Sequence, residues 1–231
     1  MSTPIVELKN ISRVYRQGEL QVRAVDSLDL QIEAGEFTVL CGPSGSGKTT
    51  ILNLIGGLDA PTSGEVFIEG SNTAQLDRST LSNIRRDRIG FVFQAYNLIP
   101  VLTAFENAEF VLALQGVDPK ERRTRVMSVL EEVGLGGLEH RRPDELSGGQ
   151  QQRVAIARAI APRPAVVLAD EPTANLDSET AEALMDVMGR LNREENATFV
   201  FSTHDERVMR RARRIVTLID GRIHKDEQLD R

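Results

Sequence analysis

The stretch Gly42-Pro43-Ser44-Gly45-Ser46-Gly47-Lys48-Thr49 fits the pattern G-x-x-x-x-G-K-[ST], and nothing else in the chain restricts its fold as tightly. The pattern carries meaning when a buried strand feeds the loop and a helix leaves it. Residues 37–40 read as such a strand and residues 50–58 as an apolar helix, so both flanks are in place. Glycines let the backbone curl with its N–H groups inward, and the helix start adds the positive end of its dipole, which together make a cradle for phosphate oxygens. Lys48 is placed to reach β- and γ-phosphates, and the Thr49 hydroxyl to ligate Mg²⁺. A nucleoside triphosphate is therefore expected along Gly42, Pro43, Ser44, Gly45, Ser46, Gly47, Lys48, Thr49 and Thr50.

A chain of 231 residues can bury a full core and suits one elaborated domain better than two independent ones. Its 40% hydrophobic and 27% charged content are those of a soluble globular protein, and a net charge of −6 argues against nucleic acid as the main partner. Cys41 is the only cysteine, so no intrachain disulfide forms, and a reducing compartment is the simple inference. Residues 1–7 lack the basic start and long apolar run of a secretory signal. Residues 89–105 carry no charge, but Gly90, Gln94, Asn97 and Pro100 interrupt them and they fall short of a membrane span.

Residues 5–15 and 20–32 alternate apolar and polar side chains, as paired strands of a half-exposed sheet do, with a turn at Gln17-Gly18. Residues 64–70 repeat the alternation, and 89–93 form an apolar strand ending at Gln94. From 103 to 133 the period becomes helical, broken at 116–119, with Phe105, Ala108 and Leu112 on one face and Val126, Val129, Leu130 and Val133 on the next. Residues 178–192 read as a helix, 198–201 as a core strand, and 215–219 with 222–223 as a hairpin about Asp220-Gly221. The arginines between 207 and 214 alternate with Val208, Met209 and Ala212 and read as an exposed helix face.

Ser147 and Gln150 have capping-box spacing, so a helix begins at Ser147 with Val154, Ile156, Ala157 and Ile160 on its core face. Gly148 and Gly149 in its first turn cost roughly 1 kcal/mol each relative to alanine, yet leave the first N–H groups open to an anion. The chain thus offers two phosphate-facing helix starts, of which only the first owns a lysine and a metal ligand. An economical reading is that the second completes the first site of another copy, two chains meeting about a two-fold axis with two buried nucleotides. Residues 165–171 form an apolar strand ending in Asp170 and Glu171. In a phosphate-loop fold such a strand delivers an aspartate to the Mg²⁺ shell, which suits Asp170, while Glu171 points elsewhere and can polarise a water. His204 follows the core strand 198–201, at the sheet edge where ligands gather in open α/β folds.

With these motifs assembled, the chain resembles the nucleotide-binding subunit of ATP-binding cassette (ABC) transporters over nearly its whole length. The resemblance implies an α/β P-loop NTPase with a RecA-like core and an N-terminal antiparallel β subdomain in residues 1–93 and 161–231, and an α-helical signature subdomain in residues 94–160. It makes Gln94 the glutamine-loop residue, shared between catalysis and the metal, and Leu146, Ser147, Gly148, Gly149 and Gln150 the signature that contacts ATP. Asp177 belongs to the D-loop, Tyr15 stacks on adenine, and Thr49 and Asp170 hold Mg²⁺. Glu171 is the catalytic glutamate and His204 the switch that contacts the γ-phosphate. ATP closes a homodimer, and hydrolysis reopens it.

The same resemblance implies an integral membrane permease as partner, with the chain cytoplasmic and peripheral on the inner face of the cell membrane. Its docking groove borders the uncharged run from Tyr96 to Phe105, with Tyr96, Leu98 and Ile99 contributing. Gly56-Gly57-Leu58-Asp59, residues 96–103 and residues 146–152 are similar to the subgroup that serves lipoprotein release and macrolide-type export, and importer ATPases share most of them. Two alternatives stay open. One is a soluble ABC ATPase of cluster assembly or nucleic-acid transactions, although the chain has neither a long coiled-coil insertion nor a second cassette. The other is a binding module that does not hydrolyse.

Overall fold

Alternation sends Val6, Leu8 and Ile11 of one strand, and Val25, Leu28, Leu30 and Ile32 of its neighbour, to a common buried face. These strands, Val6–Gln17 (β1) and Leu20–Ile32 (β2), pair antiparallel in the computed structural model, which describes residues 3–18 and 20–229. Met1 and Ser2, part of the segment inspected for a secretory signal, lie outside the described residues. Phe37–Cys41 (β3) leads through the phosphate loop to Lys48–Ile55 (α1). Ser63–Ile68 (β4) and the short Ser71–Asn72 (β5) complete a four-stranded antiparallel sheet of order β2-β1-β4-β5.

Next comes Arg78–Arg88 (α2), a helix that hydrophobic periodicity barely announces, because none of its residues is buried and its apolar face is only Leu81 and Ile84. Asp77 caps it, accepting the Thr80 N–H at 2.7 Å. There follow Ile89–Val92 (β6), Ala104–Leu114 (α3), Pro119–Glu132 (α4), Gly148–Ile160 (α5), Val166–Asp170 (β7) and Ser178–Glu195 (α6). The chain ends in Phe199–Ser202 (β8), Glu206–Met209 (α7), Arg214–Ile219 (β9) and Arg222–Gln228 (β10). The second sheet has the order β10-β9-β3-β8-β7-β6, parallel from β9 to β6 and antiparallel at the β9–β10 hairpin.

The parallel strands are covered on both faces, which is why they read as apolar runs rather than alternations. Phe37, Phe199, Phe201 and Val167 pack on one side against α3 to α6, through residues such as Leu112, Leu130, Val154 and Met188. Leu40, Val200, Val166 and Leu168 face the other way, onto Ile51 and Ile55 of α1 and the apolar face of the antiparallel sheet. Each such side chain contributes about 1.5–3 kcal/mol when fully buried, so the strands are held firmly in register. Because β3, β7 and β8 run parallel, their carboxyl ends share one edge, and the phosphate loop, Asp170-Glu171 and Ser202-Thr203-His204 all emerge there.

The arginines between 207 and 214 do not form a helix face. α7 lasts a single turn, and the cations are drawn into ion pairs: Arg207 with Asp205, Arg211 with Glu182 and Asp186, and Arg214 with Glu36 and Asp226. Buried Val208 and Ala212 produce the helical spacing without a continuing helix. Among the described residues no helix is long and apolar enough to cross a membrane.

Candidate functional site

Gly47 closes the phosphate loop as the N-cap of α1, with φ 101°, and a Cβ there would lie 2.3 Å from the Ala24 carbonyl oxygen. Only glycine accepts both the left-handed backbone and that approach. No side chain caps α1, so its first N–H groups stay open to an anion. Lys48 Nζ donates to the carbonyl oxygens of Gly42 and Pro43 at 2.9 and 3.0 Å, which lays the ammonium across the loop. Ser46 Oγ is buried there without a hydrogen-bond partner, a hydroxyl that a phosphate oxygen would satisfy.

β7 delivers its two carboxylates to different partners. Asp170 Oδ1 accepts the Thr49 hydroxyl at 3.1 Å. Glu171 has φ 45°, a left-handed conformation that turns the chain out of the strand, while its N–H still reaches Ser202 O at 2.8 Å. Its Oε2 accepts from Thr203 Oγ1 at 2.9 Å, and its Oε1 lies 2.7 Å from His204 Nδ1. The His204 side chain is 77% exposed and that of Glu171 only 17%, so the imidazole forms the solvent edge of the pair and the carboxylate its inner side. Asp205 anchors the turn behind them, accepting Thr173 Oγ1 at 2.7 Å. Burial works to raise the Asp205 carboxyl, and hydrogen bonds from Arg207 and Thr173 outweigh it, holding the group at about 2.

These groups meet in a cavity of ≈ 700 Å³. Gly42, Pro43, Ser44, Gly45, Ser46, Gly47, Lys48, Thr49, Thr50, Gln94, Glu171 and His204 line it, with Asp170 joined through Thr49. Tyr15 belongs to the same wall, opposite Val22 in the β1–β2 register; both are exposed, a two-residue platform for a flat ring. The Tyr15 hydroxyl donates to Asp59 Oδ2 at 2.7 Å, and Arg13 sits 4.5 Å from the ring centroid. Periodicity reasoning did not single out Thr203, Asn175 or Ser202, which are ordinary loop and strand residues until the tertiary fold sets them beside Glu171 and Gln94. Asn175 Nδ2 donates to the Gln94 carbonyl at 2.9 Å and so fixes that loop from beyond the end of the neighbouring strand β7.

Ser147, Gly148, Gly149, Gln150 and Asp177 do not line this cavity. Ser147 caps α5 as its spacing predicts: Ser147 Oγ accepts the Gln150 N–H at 3.3 Å and Gln150 Oε1 accepts the Ser147 N–H at 2.9 Å. Asp177 caps α6 through Thr180 N and Oγ1, at 2.9 and 2.7 Å, and these bonds lower its carboxyl. The doubled glycine has a packing reason that spacing alone did not reveal. A Cβ on Gly149 would stand 2.4 Å from Thr180 Cγ2, and one on Gly148 would stand 2.9 Å from the Tyr96 hydroxyl.

A second hollow, of ≈ 390 Å³, is lined by Leu58, Phe91, Phe93, Phe110, Leu114 and Arg158 among others. Tyr96, Leu98 and Ile99 do not line this hollow, although Asn97 of the same uncharged run does. Leu98 packs on the core, Ile99 is tied by its N–H to Asn107 Oδ1 at 2.8 Å, and Tyr96 rests near Gly148. Exposed apolar side chains around it are Leu58 and, on α3, Phe110 and Leu114, and Val101 of the uncharged run is exposed as well. Arg158 of α5 donates to the carbonyls of Asn97 and Tyr96 at 2.5 and 2.9 Å, pinning two consecutive residues with φ 50° and 34°.

Residues 25–174 match the family described as ABC transporter. The chain belongs to the ABC transporter family. This ABC protein is 48% identical to the uncharacterized ABC transporter ATP-binding protein MJ0796 of Methanocaldococcus jannaschii, over 97% of each chain. It is 47% identical to the lipoprotein-releasing system ATP-binding protein LolD of Anaeromyxobacter dehalogenans, over 98% of this chain and 95% of that one. Identity is 44% to the macrolide export ATP-binding/permease protein MacB of Hyphomonas neptunium, where 98% of this chain spans only 35% of the relative. The ABC chain superposes on a dimeric structure of MJ0796 with a TM-score of 0.91 at 47% identity, covering 98% and 99% of the two chains. A dimeric post-hydrolysis state of MJ0796 bound to ADP and Pi gives the same TM-score of 0.91. The protein therefore has the P-loop ABC ATPase fold, with a RecA-like core, an antiparallel β subdomain and an α-helical signature subdomain, and it is an ABC ATPase.

Proposed function

We propose that this ABC ATPase works as a homodimer that closes around two ATP molecules and drives a separate membrane permease, in lipoprotein release or macrolide-type export. The observation that carries the reading is the convergence of the phosphate loop, Gln94, Glu171 and His204 on one cavity, with Asp170 attached through Thr49.

The Thr49 hydroxyl and Asp170 carboxylate are adjacent oxygen donors, the type a hard cation takes, so the pair fits Mg²⁺, with phosphate oxygens and water as the other ligands. When bound there, the ion would neutralise phosphate charge. Lys48 exchanges the Gly42 and Pro43 carbonyls for phosphate oxygens, and the open N–H groups of α1 bind the rest of the chain of phosphates. Glu171, held by Thr203, accepts the proton of the attacking water; His204, steered by Glu171, contacts the γ-phosphate. Gln94, which lines the cavity, would offer its amide to the ion and the attacking water, and Tyr15 with Val22 would receive the adenine.

Ser147, Gly148, Gly149, Gln150 and Asp177 act on the cavity of the second copy, where the open start of α5 caps the γ-phosphate from the far side. The dimeric form of MJ0796 supports this arrangement. The apolar groove receives a helix of the permease, a reading supported by the permease in the MacB relative's name and by the LolD relative. The chain then sits peripherally on the cytoplasmic face of the membrane. Residues 94–160 form the part that moves between groove and ATP, and residues 1–93 and 161–231 the part that holds the nucleotide.

The test is capture of a tagged Glu171→Gln variant from detergent-solubilised membranes with ATP and Mg²⁺. A co-purifying protein with few spans and a large extracytoplasmic domain is expected. A many-span partner would indicate ordinary import or export, and soluble partners alone would overturn the permease assignment.

A further inference from the structure

Ser202 ends β8 fully buried, and its Oγ has no hydrogen-bond partner. The strand's alternation defines where that hydroxyl lies. Phe199 and Phe201 face the helical side of the sheet, while Val200 faces α1, so Ser202 shares the α1 face with Val200. By the same alternation in β7, Asp170 shares that face with Leu168 and meets Thr49 at the start of α1.

In the sheet Ser202 is registered between Leu40, at the root of the phosphate loop, and Asp170. Neighbouring strands lie about 4.8 Å apart, which brings the hydroxyl alongside the Asp170 carboxylate in the floor of the nucleotide cavity. Its backbone is already committed, with Ser202 O accepting from Glu171 at 2.8 Å. A valine would fill this apolar position at no polar cost, whereas a desolvated hydroxyl is unfavourable until an acceptor or water reaches it.

We propose that Ser202 is a positioning residue of the metal half of the site: its hydroxyl hydrogen-bonds a water of the Mg²⁺ shell beside Asp170 once nucleotide and ion are in place. This rests on the reading of Thr49 and Asp170 as the metal's protein ligands. Mg²⁺ keeps several of its waters, so a polar wall beside the carboxylate has a natural partner, and such outer contacts hold a ligand set in its working orientation.

The experiment uses the full chain in a Glu171→Gln background, so that binding is read without turnover, and titrates Mg²⁺ against ATP by calorimetry and thermal shift. Ser202→Ala is expected to weaken apparent Mg²⁺ affinity about tenfold, while ATP binding in EDTA and the ligand-free melting temperature stay at parental values. Ser202→Thr, which keeps the hydroxyl, is expected to restore the Mg²⁺ affinity. Parental Mg²⁺ affinity in Ser202→Ala, or an equal loss with and without Mg²⁺, overturns the proposal. If the ligand-free protein alone is destabilised, the hydroxyl serves a resident water and the proposal is likewise wrong. Thr49→Ala and Asp170→Asn serve as controls: parental Mg²⁺ dependence in both removes the metal reading itself and this inference with it.

Discussion

Nδ1 of His204 stands 2.7 Å from Oε1 of Glu171, across the gap between the ends of β8 and β7. An ionised carboxylate can only accept, so the ring donates from Nδ1 and the pair fixes both side chains at the mouth of the phosphate loop. Thr203 holds the other oxygen of the same carboxylate at 2.9 Å. Glu171 is thus oriented from two sides before any nucleotide arrives.

Replacing Glu171 with Gln keeps the shape and removes the proton acceptor. Phosphate release is expected to fall by about 10²–10⁴-fold, with ATP binding retained and an ATP-dependent dimer accumulating on size-exclusion chromatography. Hydrolysis at the parental rate would show that Glu171 is not the base.

Lys48 rests on the carbonyls of Gly42 and Pro43 and has no other recorded partner among the described residues. Lys48→Ala should weaken ATP binding by at least about tenfold, the value of one charged hydrogen bond, and barely move the ligand-free melting temperature. Calorimetric titration reads the first and differential scanning fluorimetry the second. Parental affinity would displace the lysine from its assigned place against the phosphates.

Asp205 offers a pH test with a defined sign. Its carboxyl is held at about 2, below its ordinary 3.8, so its ionised form stabilises the fold above pH 3.8, and that contribution fades as pH falls through about 2. Asp205→Asn is expected to cost about 1–2 kcal/mol at neutral pH through the weakened bonds to Arg207 and Thr173. The gap to the parent should narrow in urea titrations below pH 4. A gap that stays constant to pH 2 would mean that the charge of Asp205 does not matter.

Phe110 and Leu114 are 39% and 56% exposed on the groove, whereas Leu98 packs on the core. Phe110→Asp with Leu114→Asp is therefore expected to leave the isolated ATPase at its parental rate and melting temperature while abolishing capture of the membrane partner. Leu98→Asp should instead lower stability, by about 2–5 kcal/mol in line with other lost core contacts. Intact capture by the double variant would move the docking surface elsewhere.

Much of this site is legible in the sequence because it depends on local chemistry. A phosphate loop needs glycines at fixed offsets, and a strand that ends in Asp170-Glu171 must present them at the sheet's edge. The capping pair Ser147 and Gln150 was readable for the same reason. Periodicity failed where burial was absent or discontinuous. α2 offers only Leu81 and Ile84 as an apolar face, and the arginines near α7 follow carboxylates such as Asp205, Glu182 and Asp226 rather than a helical stripe. An uncharged run such as 96–105 signals exposure and burial equally well: Val101 is exposed while Leu98 packs on the core. Only packing reveals that Phe110 and Leu114 of α3 are exposed beside Leu58.

Arg158 holds the carbonyls of Tyr96 and Asn97, lines the groove, and rises from the same helix whose first turn abuts Thr180. Asn175 joins that loop to the strand end carrying Glu171. Hydrogen bonds at both ends of the 94–97 loop therefore join the groove to the nucleotide cavity. Thermodynamic reciprocity then governs the pair: by whatever factor ATP tightens the grip on an occupant of the groove, that occupant tightens the grip on ATP by the same factor.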